Sequence, residues 1–249
     1  MAGFTRLGTY VDAMVNGAES FCSFRKVPSQ ASVAGQWADL SMAAGNPVPN
    51  YYAATPKAAA VLDGMDGIFH GTDKTPSQLY LSHFGLVTPT AAFVGQYKLM
   101  DYLLYYPFVD LDDTTTQTMT NVVPLPRYTT GAGVRAMMVT LAPTTGSGQF
   151  TFDYVNQDGD TVTSPTQFCN TAVNSIATIS TCQQATAAGR GPFLPLRQGD
   201  TGIQSIVSLT MTVANGGLGA LVLVKPLADF TIREISTMSE ISFLNDRMG

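Results

Sequence analysis

Apolar and polar side chains alternate between Ile203 and Val213. Ile203, Val207, Leu209, Met211 and Val213 share one face, with Ser205 as the interruption. Gln204, Ser208, Thr210 and Thr212 lie opposite, with Ile206 as the exception. A period of two over this length predicts a half-buried β-strand. Asn215-Gly216-Gly217 follows, residue types that tolerate positive φ. Leu218 to Val224 is then apolar on both faces, as in a strand covered on both sides, and Lys225-Pro226 ends it because proline cannot donate to a ladder. The two segments predict a long hairpin at the centre of an antiparallel sheet.

The same reasoning predicts a second hairpin further upstream. Val134 to Leu141 is apolar apart from Arg135 and Thr140, and Pro143 to Gly148 reads as a loop. Phe150, Phe152 and Tyr154 then alternate with Gln149, Thr151 and Asp153, giving a strand with one aromatic face. Asn156 to Asp160 is a turn and Thr161-Val162-Thr163 the return. Leu99 to Val109 is the densest aromatic-aliphatic stretch. Its start could be helical, although Pro107 limits a helix. Phe4, Leu7, Val11 and Met14 fall at helical spacing, weakened by Gly8 and β-branched neighbours. Val33 to Leu40, around Trp37, reads as a strand, and Pro76-Ser77-Gln78 could open a short helix or a strand through Leu79, Leu81 and His83. Residues 166–198 carry little pattern. In the tail, Ile232, Ile235, Met238, Ile241 and Leu244 are three apart, which fits neither period and suggests an arm, packed on a neighbour in preference to its own sheet.

Composition changes the picture in one respect. Charged residues are 12% of the 249, against about 25% in ordinary globular domains. Thr, Ser, Gln, Asn and Gly must cover much of the surface, which leaves little charge to oppose association. This suits a chain in a packed assembly. The net charge of −5, the absence of basic runs and the acidic stretch Asp101, Asp110, Asp112 and Asp113 argue against nucleic acid. The apolar runs are too short for a membrane span. Three cysteines, Cys22, Cys169 and Cys182, show no metal spacing and read as reduced, mostly buried thiols, with a Cys169–Cys182 bridge as the alternative. The N-terminus lacks the order of a signal peptide, so the expected compartment is a reducing cytosol.

Candidate chemistry is sparse. His70 and His83 have no ligand or nucleophile partner at a useful spacing and read as structural. Asp110, Asp112 and Asp113 could bind a hard cation but lack EF-hand spacing, and a solvated acidic turn fits better. Asp158-Gly159-Asp160 is first a turn signal. Ser23-Phe24-Arg25-Lys26 matches Ser-x-x-Lys without the companion motifs, and Gly131-Ala132-Gly133 lacks the rest of a dinucleotide fingerprint. Tyr51-Tyr52 could be an exposed recognition pair, though partial burial is the plainer expectation. No catalytic, cofactor or metal residue is assigned, and no enzyme activity is expected.

Gly199-Asp200-Thr201-Gly202-Ile203-Gln204-Ser205-Ile206, Ala214-Asn215-Gly216-Gly217-Leu218 and Val222-Leu223-Val224-Lys225-Pro226-Leu227 resemble virion structural proteins of tailed bacteriophages. Trp37 to Met42 with Gly45-Asn46-Pro47, Tyr106 to Asp110, and Tyr154 to Gly159 point the same way. The resemblance implies a particle component, foremost a capsid decoration (cement) protein on the virion surface, made in the host bacterial cytoplasm. Its partners would be the major capsid protein and itself, as a homotrimer, without nucleic acid or membrane. A tail or connector protein is the alternative. A host-surface carbohydrate-binding domain, with Tyr51-Tyr52, Asp110 and Asp112 along one groove, is the second. The major shell protein itself fits less well, since no long helix is expected. The expected fold is all-β, a β-sandwich or jelly-roll-like domain with long loops, minor helices and extended terminal arms. Residues 1–30 form an arm or short helix, 31–227 the β-rich core and 228–249 a C-terminal arm.

Overall fold

The computed structural model describes residues 6–17, 20–27, 36–62, 67–68, 81–169, 175–180 and 191–242. One helix, α1 (Leu7–Val15), precedes the strands β1 (Arg25–Val27), β2 (Trp37–Ala38), β3 (Ala44–Asn46), β4 (Ala60–Val61) and β5 (His83–Leu86). Then come β6 (Gly95–Asp110), β7 (Gln117–Thr118), β8 (Arg135–Ala142), β9 (Gln149–Asn156), β10 (Thr161–Thr163), β11 (Gln167–Phe168) and β12 (Thr178–Ile179). The last three are β13 (Ile203–Val213), β14 (Leu218–Ile232) and β15 (Ser239–Ser242). The chain divides into a larger unit, residues 24–67 and 100–226, and a smaller one, residues 1–23, 68–99 and 227–249.

The larger unit is an all-β sandwich. A five-stranded sheet has the order β10-β9-β13-β7 with β11 also on β9, and a six-stranded sheet runs β2-β12-β8-β14-β6-β4. Apolar side chains of the two sheets meet in one core: Phe150, Phe152, Ile206, Leu209 and Met211 from one side, Leu103, Tyr106, Met138, Leu221 and Leu223 from the other. The second face of the six-stranded sheet is covered as well. Met137, Val139, Ala220, Val222 and Val224 pack there with Met42, Tyr52 and Leu62 from the segment before β5. The doubly apolar pattern of Leu218 to Val224 is thus explained by cover on both faces.

Two expected hairpins are sheet-to-sheet crossings instead. β13 pairs with β9 and β7, β14 with β8 and β6, and β8 and β9 likewise belong to different sheets. β6 and β7 make a third crossing. The reason is burial: a strand that alternates needs one covered face, and a strand apolar throughout needs two, so the neighbours cannot share a layer. The crossings bond to each other at one corner. Asn215, 2% exposed, donates its N–H to Leu111 O (2.8 Å) and accepts at its carbonyl from Thr145 N (2.9 Å) and Gly146 N (3.2 Å). Its side-chain Oδ1 accepts from Gly148 N at 3.1 Å. The turn at Asn156 to Asp160 does close a hairpin, between β9 and β10.

The alternation along β13 is also corrected. Register shifts leave Gln204, Val207 and Thr212 as extra residues against β9. Each bulge reverses which face the following side chains take. Ile206, the misfit of the sequence pattern, is therefore in the core at 2% exposure, whereas Val207 is only half-buried and Val213 is 43% exposed. The Ile206 N–H at the second bulge donates across the core to the Tyr106 hydroxyl on β6, at 3.0 Å. Tyr106→Phe leaves that N–H without an acceptor, and a loss of about 1–3 kcal/mol is expected. Chemical denaturation reads it, and a change within about 0.5 kcal/mol would sink this account.

Leu99 to Val109 belongs to β6 and is strand from its start, not helix, because both faces find cover. Pro107 is accommodated at a kink: Phe108 has φ 54°, and Pro107 O accepts from Lys57 N at 2.8 Å. The strand expected at Val33 to Leu40 reduces to Trp37–Ala38 followed by a 3-10 turn at Leu40–Met42, with Val33 to Gly35 outside the described residues.

In the smaller unit, β5 and β15 form a two-stranded antiparallel ribbon, Ser239 opposite Leu86 and Ser242 opposite His83. Phe84 stacks on Phe230 at 5.0 Å between ring centroids, and Lys98 bonds both Asp229 carboxylate oxygens at 2.7 and 2.8 Å. The helical spacing near the N-terminus is realised in α1. The tail is strand as far as Ile232 and again at Ser239–Ser242, where it pairs with β5 of its own chain.

Candidate functional site

The segment that covers the outer face of the six-stranded sheet carries a cluster of buried polar groups. Asp39, 3% exposed, caps the Leu40–Met42 turn by accepting from Ser41 N at 2.9 Å. The same carboxylate accepts from the hydroxyl of Tyr102 on β6 at 3.0 Å and from the hydroxyl of Tyr52. Tyr52 is wholly buried and holds a left-handed backbone, φ 51°. That conformation is costly for a residue with a Cβ. It is held by the Tyr52 N–H, which donates to Asn50 Oδ1 at 2.8 Å, and by packing on Tyr105.

Lys26 on β1 closes the cluster. Its ammonium donates to the carbonyls of Ser41, Ala43 and Pro47, at 3.2, 3.0 and 2.9 Å. Burial pushes its pKa down, and the Asp39 charge partly offsets this. β1 reaches this position by pairing with β3, Lys26 opposite Gly45. Gly45 is required there, since a Cβ would lie 2.1 Å from Arg25 O at φ 140°. The carboxylate is thus used by three donors and the ammonium by three acceptors. Chemically this is a lock on the cover, with no group left poised to attack a substrate. In the Ser23-Phe24-Arg25-Lys26 segment, Lys26 is bound to carbonyls and Ser23 is exposed.

A second carboxylate, Asp200, does similar work at the start of β13. It accepts from the Tyr154 hydroxyl at 2.5 Å and from Asn156 Nδ2 at 3.1 Å, and Arg197 lies 3.7 Å away. The Tyr154 hydroxyl in turn accepts from Arg197 N at 2.9 Å. Neither Asp39 nor Asp200 sits in a motif that marks its role in the sequence. The available signal is an aspartate one residue before a turn or three before a strand, with tyrosines elsewhere, and the pairing is set only by the fold.

The singled-out residues are dispersed. Tyr51 is 57% exposed and Tyr52 is 0%, so they are not a recognition pair, which removes half of the aromatic platform a carbohydrate site would need. His83 lies on the β5–β15 ribbon, exposed, 3.4 Å from Glu240. His70, Cys182 and the Pro76 to Leu79 segment lie outside the described residues. Asp110 and Asp113 are engaged in the acidic turn, accepting from Asp112 N (2.9 Å) and from Thr115 N (2.8 Å). Those Thr115 bonds hold the Asp113 carboxyl below its usual pKa. Asp101 is not part of an acidic surface, because Arg127 grips it with two bonds of 2.8 and 2.5 Å. Cys169 is a free, buried thiol pushed up to about 12 by burial. Among the described residues no three His, Cys, Asp or Glu converge as metal ligands, and no helix is long and apolar enough to cross a membrane.

Six tyrosines have their pKa raised, chiefly by burial: Tyr97 and Tyr128, Tyr52 and Tyr102, where Asp39 adds to the effect, and Tyr106 and Tyr154, both pushed up to about 12. The folded chain keeps these protons where the unfolded chain loses them. For Tyr106 and Tyr154 this stabilisation is complete below about pH 10 and is lost as pH rises toward 12, with Tyr106 alone accounting for about 2–3 kcal/mol. Lys26 runs oppositely, because its lowered pKa adds stability as pH approaches the ordinary value of 10.5. Denaturation midpoints taken across this range are expected to fall steeply above about pH 10, and a flat profile would count against the buried hydroxyls. No family model, curated protein or solved structure matches this chain.

Proposed function

We propose that this chain is a capsid decoration protein of a tailed bacteriophage, a rigid β domain that bridges neighbouring capsomers and stabilises the shell. The observation that carries the reading is how the sandwich spends its polar groups. Asp39, Asp200, Lys26 and Asn215 are all bound to the chain's own backbone and hydroxyls, while charged residues are 12% of the whole. The result is a stiff body whose surface opposes packing weakly. The resemblance of Gly199 to Leu227 and of Trp37 to Pro47 to phage virion proteins supports the same assignment. The mechanism is physical. Each copy binds one of many equivalent sites, so modest contacts add up through multivalency, and a homotrimer matches three-fold positions on a shell.

The test is the copy number of this chain in purified particles, by quantitative mass spectrometry against the major shell protein. Hundreds of copies in simple ratio to the shell are expected. A few to a few dozen would move the chain to the tail or connector, and near zero would end the virion reading. Binding of the purified protein to undecorated shells is the companion assay.

A further inference from the structure

We propose that the smaller unit is the self-association module of this chain, and that a second copy covers α1 and the β5–β15 ribbon. The inference rests on the reading that copies clasp one another on a particle. Among its described residues only Thr88 and Ile232 are buried, so the described part of the unit has almost no core. A two-stranded ribbon is marginal in water by itself; this one packs Phe84 on Phe230, and both its outer edges pair with no other described strand. On α1 no residue is buried. Leu7 is 74%, Val11 46% and Val15 80% exposed, and beyond the helix Phe21 is 92% exposed.

Val87, Ile235 and Met238 add half-exposed apolar side chains around the ribbon. The large apolar side chains exposed in this unit present on the order of 1,000 Å², comparable with the roughly 800 Å² per partner of a stable interface. The charges favour a copy over a strongly charged partner. Lys98 pairs with Asp229 and His83 with Glu240, and Arg6, Asp12, Arg233 and Glu234 balance one another. Over the whole unit the sequence has five Lys or Arg against seven Asp or Glu, a formal charge of −2, so two copies would meet with only weak repulsion. The sandwich offers less: its described edge strands β10, β7, β2 and β4 are two or three residues long, too short for edge-to-edge pairing.

The experiment is sedimentation of the full chain across roughly a hundredfold concentration range, beside three variants. Val11→Glu/Val15→Glu and Val87→Glu/Ile235→Glu are each expected to weaken self-association at least about tenfold. Val122→Glu, at an 84% exposed position of the sandwich, is expected to leave it unchanged. All are exposed positions, and circular dichroism checks that the variants fold. A wild-type chain that is monomeric throughout overturns the proposal, as does an oligomer that survives both double variants. The shell-binding assay separates this from the functional reading. A monomer that binds shells refutes self-association alone, and an oligomer through these residues that ignores shells refutes the decoration role alone.

Discussion

Replacing Asp39 by alanine is expected to destabilise the sandwich by about 3–5 kcal/mol, the range for removing one partner from a buried charged network. The substitution leaves the Tyr52 and Tyr102 hydroxyls without their acceptor and removes the cap on Ser41 N. It also leaves the Lys26 ammonium without the nearby negative charge that favours it. These losses fall on one network, so they do not add. Asp39→Asn keeps an acceptor oxygen of the same shape and is expected to cost less, about 1–3 kcal/mol. Tyr52→Phe in the Asp39→Ala background is expected to cost less than in the wild type. Urea denaturation with an unchanged slope is the measurement. An Asp39→Ala protein within about 1 kcal/mol of wild type would mean that the cluster is solvated and does not lock the cover.

Gly217→Ala is the second large effect, because it strikes the corner where the chain changes sheets. Gly217 has φ 80°, and a Cβ there would lie 2.4 Å from Pro143 O and 2.7 Å from Ala142 O. Both obstacles are backbone, on the neighbouring crossing, and neither can rotate away. Positive φ for a residue with a Cβ adds about 1 kcal/mol. Displacing a packed neighbour adds about 1–3 kcal/mol. The Gly217 carbonyl also accepts from Leu111 N at 3.1 Å, so a shift at 217 loosens the crossing after β6 as well. A total of about 3 kcal/mol is expected, read as a lower denaturation midpoint. Gly159→Ala is the comparison: its φ is 88° but nothing lies within 4 Å of the added Cβ, so only the backbone cost of about 1 kcal/mol should appear. Equal effects at the two positions would show that the corner contacts are unimportant.

Local pattern was enough for the class of fold and for many strands. β13 runs from Ile203 to Val213, as its alternation and the turn residues after it require. The aromatic face of Phe150, Phe152 and Tyr154 is buried, and the cover on both faces of Leu218 to Val224 is real. These follow from short-range rules, since a side-chain period and a turn residue act within a few positions. What the pattern could not contain was the partner of each strand. Adjacent strands looked like hairpins because a turn next to an apolar run is the usual sign of one, and the decision between pairing and crossing depends on how many layers each strand must fill. Likewise the bulges that carry Ile206 inward are set by β9 and Tyr106, which lie 50 to 100 positions away. The polar clusters belong to the same class. Asp39 reaches Tyr102 across 63 positions and Asp101 reaches Arg127 across 26, and a buried charge is tolerated only where the fold delivers its partners. An all-β chain with little charge, and its main strands, follow from local geometry and composition. Which strands pair, which polar groups are locked away and which apolar side chains remain exposed depend on contacts between distant parts of the chain, and so emerge only on folding.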